Sequence, residues 1–490
     1  MSIKKRLLAL ALVFVMVLGW IPASAVAQSA GGYDFSGSYH GTLGLAYNNG
    51  KLEQETGLAS KPSGLTKFED SGNKPYSEYG QADVFEPDEL VTFIVTLDSD
   101  PLLVNFTAAE IAQNDEKVAA HKEAAEQLVN QVQAEVTKAL GNEEGFEMGF
   151  TYTIASVGFS VTTAYSNMEA LSAFEHVESV YVAPTYDVPE SGNEEVSPMT
   201  SNSSTMIGAD YANQTGYTGR GMRIAILDTG ITVDHPSFAA LPDEALVDPM
   251  TRDTADKIWS ELNAGKMSKF NLSYYNSKIP FIFNYDAGNF NVANSYAGSD
   301  HGTHVAGIAA ANRTEGTNVV GMAPDAQLIV MQVFTSGGGA SFATIMAALE
   351  DCVLLEVDTA NLSLGMAAGF HDPDDQMLET LSLFLETDIQ VIIASGNDTN
   401  NAYMNLLGYD MSLITNPDIG LAGTPSTYSA ALAVASADND GYEMYYFTVN
   451  GVDYGFQDTA TAAATNFLGN YRDAELEYVV VPGVGAPEDY

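Results

Sequence analysis

Two short segments hold side chains whose types could act together. Asp228-Thr229-Gly230 closes the apolar run Met222-Arg223-Ile224-Ala225-Ile226-Leu227, and His301-Gly302-Thr303-His304-Val305-Ala306-Gly307 reads as the opening of a helix. A histidine is the usual general base near neutral pH. An aspartate at the end of a buried strand can accept the Nδ1 proton of that base and so fix its tautomer. Such a pair prepares a hydroxyl for nucleophilic attack. His304 lies three residues beyond His301 and points another way from the same turn, so a core or structural role is expected for it. A helical zinc motif needs its histidines four apart, which this spacing does not offer.

Two other chemistries fit less well. Asp-Thr-Gly is also the triplet of carboxylate-pair hydrolysis, which needs a second such carboxylate. The only other candidate, Asp70-Ser71-Gly72, lacks a strand around it, and this reading leaves the histidine segment unexplained. Gly216, Gly219 and Gly221 suggest a dinucleotide loop, yet they precede the strand, whereas a phosphate-binding loop follows one. The single Cys352 allows no intrachain disulfide and sits in an apolar helical stretch, where it reads as a small buried hydrophobe.

The elements that must position these residues alternate. Strands are expected at 223–227, 280–284, 327–334, 358–363, 390–394 and 431–435, with helices at 301–312, 341–355 and 376–386. The pattern predicts an α/β domain over 205–437, with a mostly parallel sheet covered by helices on both faces. Sites in such sheets gather at the carboxyl ends of strands, where Asp228 and Asn397 both fall. Upstream, residues 89–186 read strand, helix, strand, strand, helix, strand, a small α+β (ferredoxin-like) sandwich. Its long helix is expected to run from the capping box at Thr107-Ala108-Ala109-Glu110 to Gly141. Residues 187–204 read as a linker open to processing, and 28–87 as a flexible leader. Residues 438–490 have the look of strands that begin an insert.

Composition narrows the function. With 19 Lys+Arg against 64 Asp+Glu, a net charge of −45, the chain has no basic patch for nucleic acid. So many carboxylates suit a salty extracellular setting. Bound calcium would suit them as well, but no calcium-loop motif supports it, and no cofactor is required by the chemistry. Lys4, Lys5 and Arg6, the apolar run from Leu7 to Trp20, and Ala23-Ser24-Ala25-Val26-Ala27 form a secretory signal over 1–27. No membrane span is expected beyond it.

The segments resemble the subtilisin-like serine proteases. Ala225-Ile226-Leu227-Asp228-Thr229-Gly230-Ile231 is similar to that family's aspartate motif, and Ser299-Asp300-His301-Gly302-Thr303-His304-Val305-Ala306-Gly307 to its histidine motif. Gly321-Met322-Ala323-Pro324-Asp325-Ala326 resembles its turn before a central strand. The resemblance implies that Asp228 orients, that His301 is the base and that Asn397, in Ala394-Ser395-Gly396-Asn397, donates to the oxyanion. It implies that Ser363, Leu364 and Gly365 pair with a peptide substrate by strand addition, and that Ala394, Ser395 and Gly396 wall the pocket beside the scissile bond. Residues 89–186 resemble the inhibitory propeptide of these enzymes, acting in cis. The tail from 438 is similar to the start of a protease-associated insert in the large lactocepin and C5a-peptidase type.

One part of the family's pattern is missing. The nucleophile of the family opens a helix in a Gly-Thr-Ser-Met-Ala box, and no such box occurs in the sequence. Gly423-Thr424-Pro425-Ser426 resembles instead the loop before the strand at 431–435. The expectation is a secreted serine endopeptidase precursor, truncated, whose 490 residues are inactive alone and whose cell-wall anchor, if any, lies beyond Tyr490. The competing reading is a secreted pseudoprotease or peptide-binding module that keeps only the groove.

Overall fold

A computed structural model describes residues 85–187, 200–296, 298–313, 319–366, 376–397 and 422–437, with four further strands at 45–48, 51–54, 445–449 and 452–456. The signal segment, most of the linker and most of the tail lie outside these residues. The chain divides into units at 1–73 and 74–490. In the first, Leu45–Asn48 pairs antiparallel with Lys51–Gln54, joined by Asn49-Gly50. The expected leader therefore contains a hairpin, and Asn-Gly is the usual sequence signal for one.

In the second unit the small sandwich forms as expected. Its strands are β1 (Leu90–Leu97), β2 (Glu147–Tyr152), β3 (Gly158–Ala164) and β4 (Val177–Val182), in the order β2-β3-β1-β4, all antiparallel. The expected long helix is two: α1 (Ala108–Gln113) and α2 (Glu116–Leu140). The capping box at Thr107 and Glu110 is present and Gly141 ends α2. Between the helices Asn114 turns left-handed (φ 48°), and the Asp115 carboxylate accepts from the N–H groups of Lys117 and Val118, starting a new helix. Helix α2 buries one stripe, Val118, Lys122, Ala125, Val129, Val132, Val136 and Leu140. Helix α3 (Met168–Ser172) and a short strand β5 (Thr185–Asp187) complete this part.

The larger sheet has six strands: β6 (Arg223–Asp228), β7 (Phe281–Asn284), β8 (Gln327–Gln332), β10 (Thr359–Leu362), β11 (Gln390–Ala394) and β12 (Leu432–Val434). Their order is β12-β11-β10-β6-β8-β7, and every pair is parallel. All six residues of β8 are buried, as a strand covered on both faces requires. Between β6 and β7 run α4 (Arg252–Ile258) and α5 (Asn263–Met267). Helix α6 (His301–Ala310) packs its small face, Gly302, Ala306 and Ala310, onto the sheet. A three-residue strand β9 (Gly339–Ser341) leads into α7 (Phe342–Leu354), followed by α8 (Gln376–Phe384). Helix α7 is buried all round, Cys352 included, because it lies between the sheet and the small sandwich. The linker expected over 187–204 is ordered at both margins: Asp187 belongs to β5, and a helix spans Thr200–Met206.

Candidate active site

Asp228 is the last residue of β6 and only 1% exposed. The chain then turns at Gly230 (φ 93°), where a Cβ would come within 2.3 Å of the Val292 carbonyl oxygen. The Asp228 carboxylate accepts from the Thr229 N–H at 2.7 Å, which fixes its plane. His301 opens α6 and its Nδ1 lies 2.9 Å and 3.1 Å from the two Asp228 oxygens. Helix and strand meet almost backbone to backbone. A Cβ on Gly302 would lie 2.2 Å from the Gly230 carbonyl and 3.0 Å from Asp228 Oδ1. The Gly302 N–H donates to Thr229 Oγ1 at 3.0 Å, tying one segment to the other. Thr303 adds a second tie: its hydroxyl donates to Asn294 and accepts from the Thr232 N–H.

Burial of the His301 ring opposes its charged form. The hydrogen bond and charge of Asp228, with Asp300 beside it, outweigh that, and the imidazole is held above its ordinary value. His304 is exposed, which excludes the core half of the core or structural role expected for it, because it faces away from the sheet on the outer side of α6. Leu364 is buried, Ser363, Gly365, Ala394 and Ser395 are half-buried, and Gly396 (φ 104°) and Asn397 are exposed in the turn after β11. Ser426 is 4% exposed and donates its hydroxyl to the Gly423 carbonyl at 2.8 Å. Among the described residues no cluster of three or more His, Cys, Asp or Glu is placed to hold a metal.

Beside the segment 363–365, a second edge carries an extended stretch of this chain's own backbone. Met366 pairs with Thr424, while β9 takes an extended peptide antiparallel. That peptide is β5, with Asp187, Tyr186 and Thr185 opposite Gly339, Ala340 and Ser341, and Phe342 N–H donating to Pro184 O at 2.8 Å. Tyr186 is 1% exposed and part of the main core. The only sequence signal for this edge was the run Gly337-Gly338-Gly339.

The sandwich is also gripped by α7. Glu350 accepts from three consecutive backbone N–H groups, Thr153 at 3.2 Å and Ile154 and Ala155 at 2.8 Å each. Tyr152 donates to the Ala343 carbonyl at 2.9 Å. Burial pushes the Glu350 carboxyl up to about 7 despite those donors. Its neighbour Asp351 points the other way and accepts from Asn263 N–H, Ala264 N–H and the Tyr285 hydroxyl. Sequence reasoning missed both. Two adjacent carboxylates inside an apolar helix were the available signal, since buried charges need partners.

Comparison with known proteins agrees with this arrangement. Residues 92–187 match the peptidase inhibitor I9 family. The chain is 27% identical over 418 residues to the PII-type proteinase of Lactococcus lactis subsp. cremoris, covering 82% of this chain and 20% of that protein. It is 27% identical over 347 residues to the minor extracellular protease Vpr of Bacillus subtilis, covering 68% of this chain and 35% of the other. With the C5a peptidase of Streptococcus pyogenes it shares 25% identity over 279 residues, 55% of this chain and 22% of that one. The chain thus spans about a fifth of the length of the first of these relatives. Residues 219–471, more than half of the sequence, match the subtilase family, and the chain belongs to that family.

Proposed function

We propose that the chain is a secreted serine endopeptidase precursor that works by Asp-His-Ser acyl transfer. The observation that carries this reading is the buried Asp228 carboxylate on His301 Nδ1. With Nδ1 engaged, Nε2 is the atom that takes the nucleophile's proton and later returns it to the leaving amine. Asn397 would donate to the developing oxyanion, a contribution of roughly 3–4 kcal/mol in related systems. The nucleophilic serine is not among these 490 residues, and the chain alone is inactive. Residues 89–186 are its inhibitor in cis, and the antiparallel seat of β5 on β9 supports an extended peptide as substrate. The signal residues 1–27 direct export, with cleavage after Ala25 or Ala27. Extracellular or cell-wall placement follows from that export, and among the described residues no helix is long and apolar enough to cross a membrane.

A fluorophosphonate probe tests the assignment. Residues 1–490 should stay unlabelled, while the product of a gene read further should be labelled at one downstream serine and lose labelling on His301→Ala. The base must be neutral and its pKa is raised, so activity of that longer product should climb with pH through a value above about 6.5, the ordinary histidine figure. Stoichiometric labelling within 1–490 would overturn the reading.

A further inference from the structure

The stripe that α2 buries contains one residue of the wrong kind. Lys122 occupies a position where Val118, Ala125 and Val129 set an apolar spacing, and it is only 8% exposed. A lysine held there needs a partner. Its Nζ donates to Glu261, in the short turn Trp259–Glu261 between α4 and α5. One helical turn further along α2, Glu126 meets Lys266 of α5 at 3.6 Å. The two pairs have opposite polarity: cation to anion, then anion to cation. Neither partner segment belongs to the sheet or to β9.

The segment bearing Glu261 and Lys266 is firmly held. Asp351 receives the first N–H groups of α5, and the Trp259 indole donates to the Ser268 carbonyl while its ring packs against Phe281, Phe283 and Phe290. Beside the pairs a cleft of about 240 Å³, lined by Ile111, Val118, Ile154 and Lys257 among others, admits solvent. Glu261, Lys266 and Glu126 are each more than a third exposed at the side chain, or nearly so.

We propose that this connection between β6 and β7 is a second recognition surface for the inhibitory domain, separate from β9 and Glu350. Its crossed ion pairs select the cognate α2 and make the domain's hold sensitive to ionic strength. Crossed charges suit such selection, because a helix carrying the reverse pattern meets two repulsions at once. Partly exposed pairs are screened by salt, whereas the apolar interface and the Glu350 hydrogen bonds are screened little. The proposal rests on the reading of residues 89–186 as an inhibitor, and the experiment separates the two.

A specific protease sequence placed within 188–199 lets the folded full chain be cut. The cut chain is held by a tag after residue 437, and loss of the inhibitory fragment is timed at 50 and 500 mM NaCl. Release should quicken several-fold with salt. Lys122→Glu or Glu261→Lys alone should quicken it about tenfold, and the two together should return it to within about threefold of the wild type. Glu126→Lys and Lys266→Glu should behave alike with a smaller effect, and being half-exposed they decide the matter if the inner reversals disturb folding. Double reversals that multiply the single effects, or release indifferent to salt, would overturn the second surface alone. A wild-type fragment that departs at once on cutting would overturn the inhibitor reading and this proposal with it.

Discussion

Replacing Glu350 with alanine should loosen the inhibitory domain more than any other single change on α7. The carboxylate receives three buried N–H groups, from Thr153, Ile154 and Ala155. Each hydrogen bond to a charged acceptor is worth about 1.5–3 kcal/mol net, but burial of the carboxylate offsets part of the sum. Leaving three donors unpaired should cost roughly 3–5 kcal/mol, the range seen when one side of a buried polar contact is removed. The cut full chain measures this directly, as the equilibrium retention of the fragment by the tagged remainder. Weakening by a factor of about 10² or more is expected, since each 1.4 kcal/mol is tenfold. The pH dependence has a definite sign. Glu350 is raised from 4.5 to about 7 in the bound state, mainly by burial, so binding takes up a proton. The hold is full below about 4.5 and declines as pH rises through 7. Glu350→Gln, neutral throughout, should hold with little pH dependence. An alanine variant that retains the fragment within fivefold of the wild type, or a wild type that grips harder at pH 8 than at pH 6, would refute the argument.

Two further outcomes follow from buried contacts. Gly302→Ala should force α6 off the Asp228 turn, costing about 1–3 kcal/mol in a urea melt and lowering the His301 pKa seen by NMR titration, because the Cβ would meet Gly230 O at 2.2 Å. Lys278 is fully buried, donates to the Pro324 and Ala326 carbonyls, and is pushed by burial down to about 7. Its contribution is full above about 10.5 and is lost as pH falls through 7, so Lys278→Met should flatten stability between pH 9.5 and 7, measured by urea unfolding at each pH.

What the sequence disclosed was whatever repeats locally. The apolar runs of β6, β8 and β11 and the small-residue face of α6 carry their own periodicity, and Asp228 and His301 fall at ends that such runs define. Contacts between distant segments left little trace. Glu350 lies nearly 200 residues from Thr153, and nothing near either residue announces the other. The β9 edge is three residues long, too short for any periodicity, and only the glycines before it mark the place. Of the two roles expected for His304, core or structural, its exposure removes the first, because it falls on the face of α6 opposite Gly302, Ala306 and Ala310. The break between α1 and α2 was present as Asn114-Asp115, a stop followed by a cap, but the long apolar stripe running past it hid the signal.

The main core has no seam between inhibitor and sheet: Ile94, Leu103, Ile111, Ile154 and Tyr186 belong to the same cluster as Ile345, Leu349 and Val353. One region is nevertheless destined to be cut from the other under the proposed function. The two stretches of gene are therefore bound to drift in step. A residue enlarged on α7 calls for one reduced in the sandwich, even though the matured product would carry only the first. Transplanting the sandwich from a relative at about a quarter identity should fail in this shared interior before it fails at any catalytic group. The surface that α7 would expose once the sandwich departs was selected for a companion, not for water, and the shelf life of the separated remainder should be limited there.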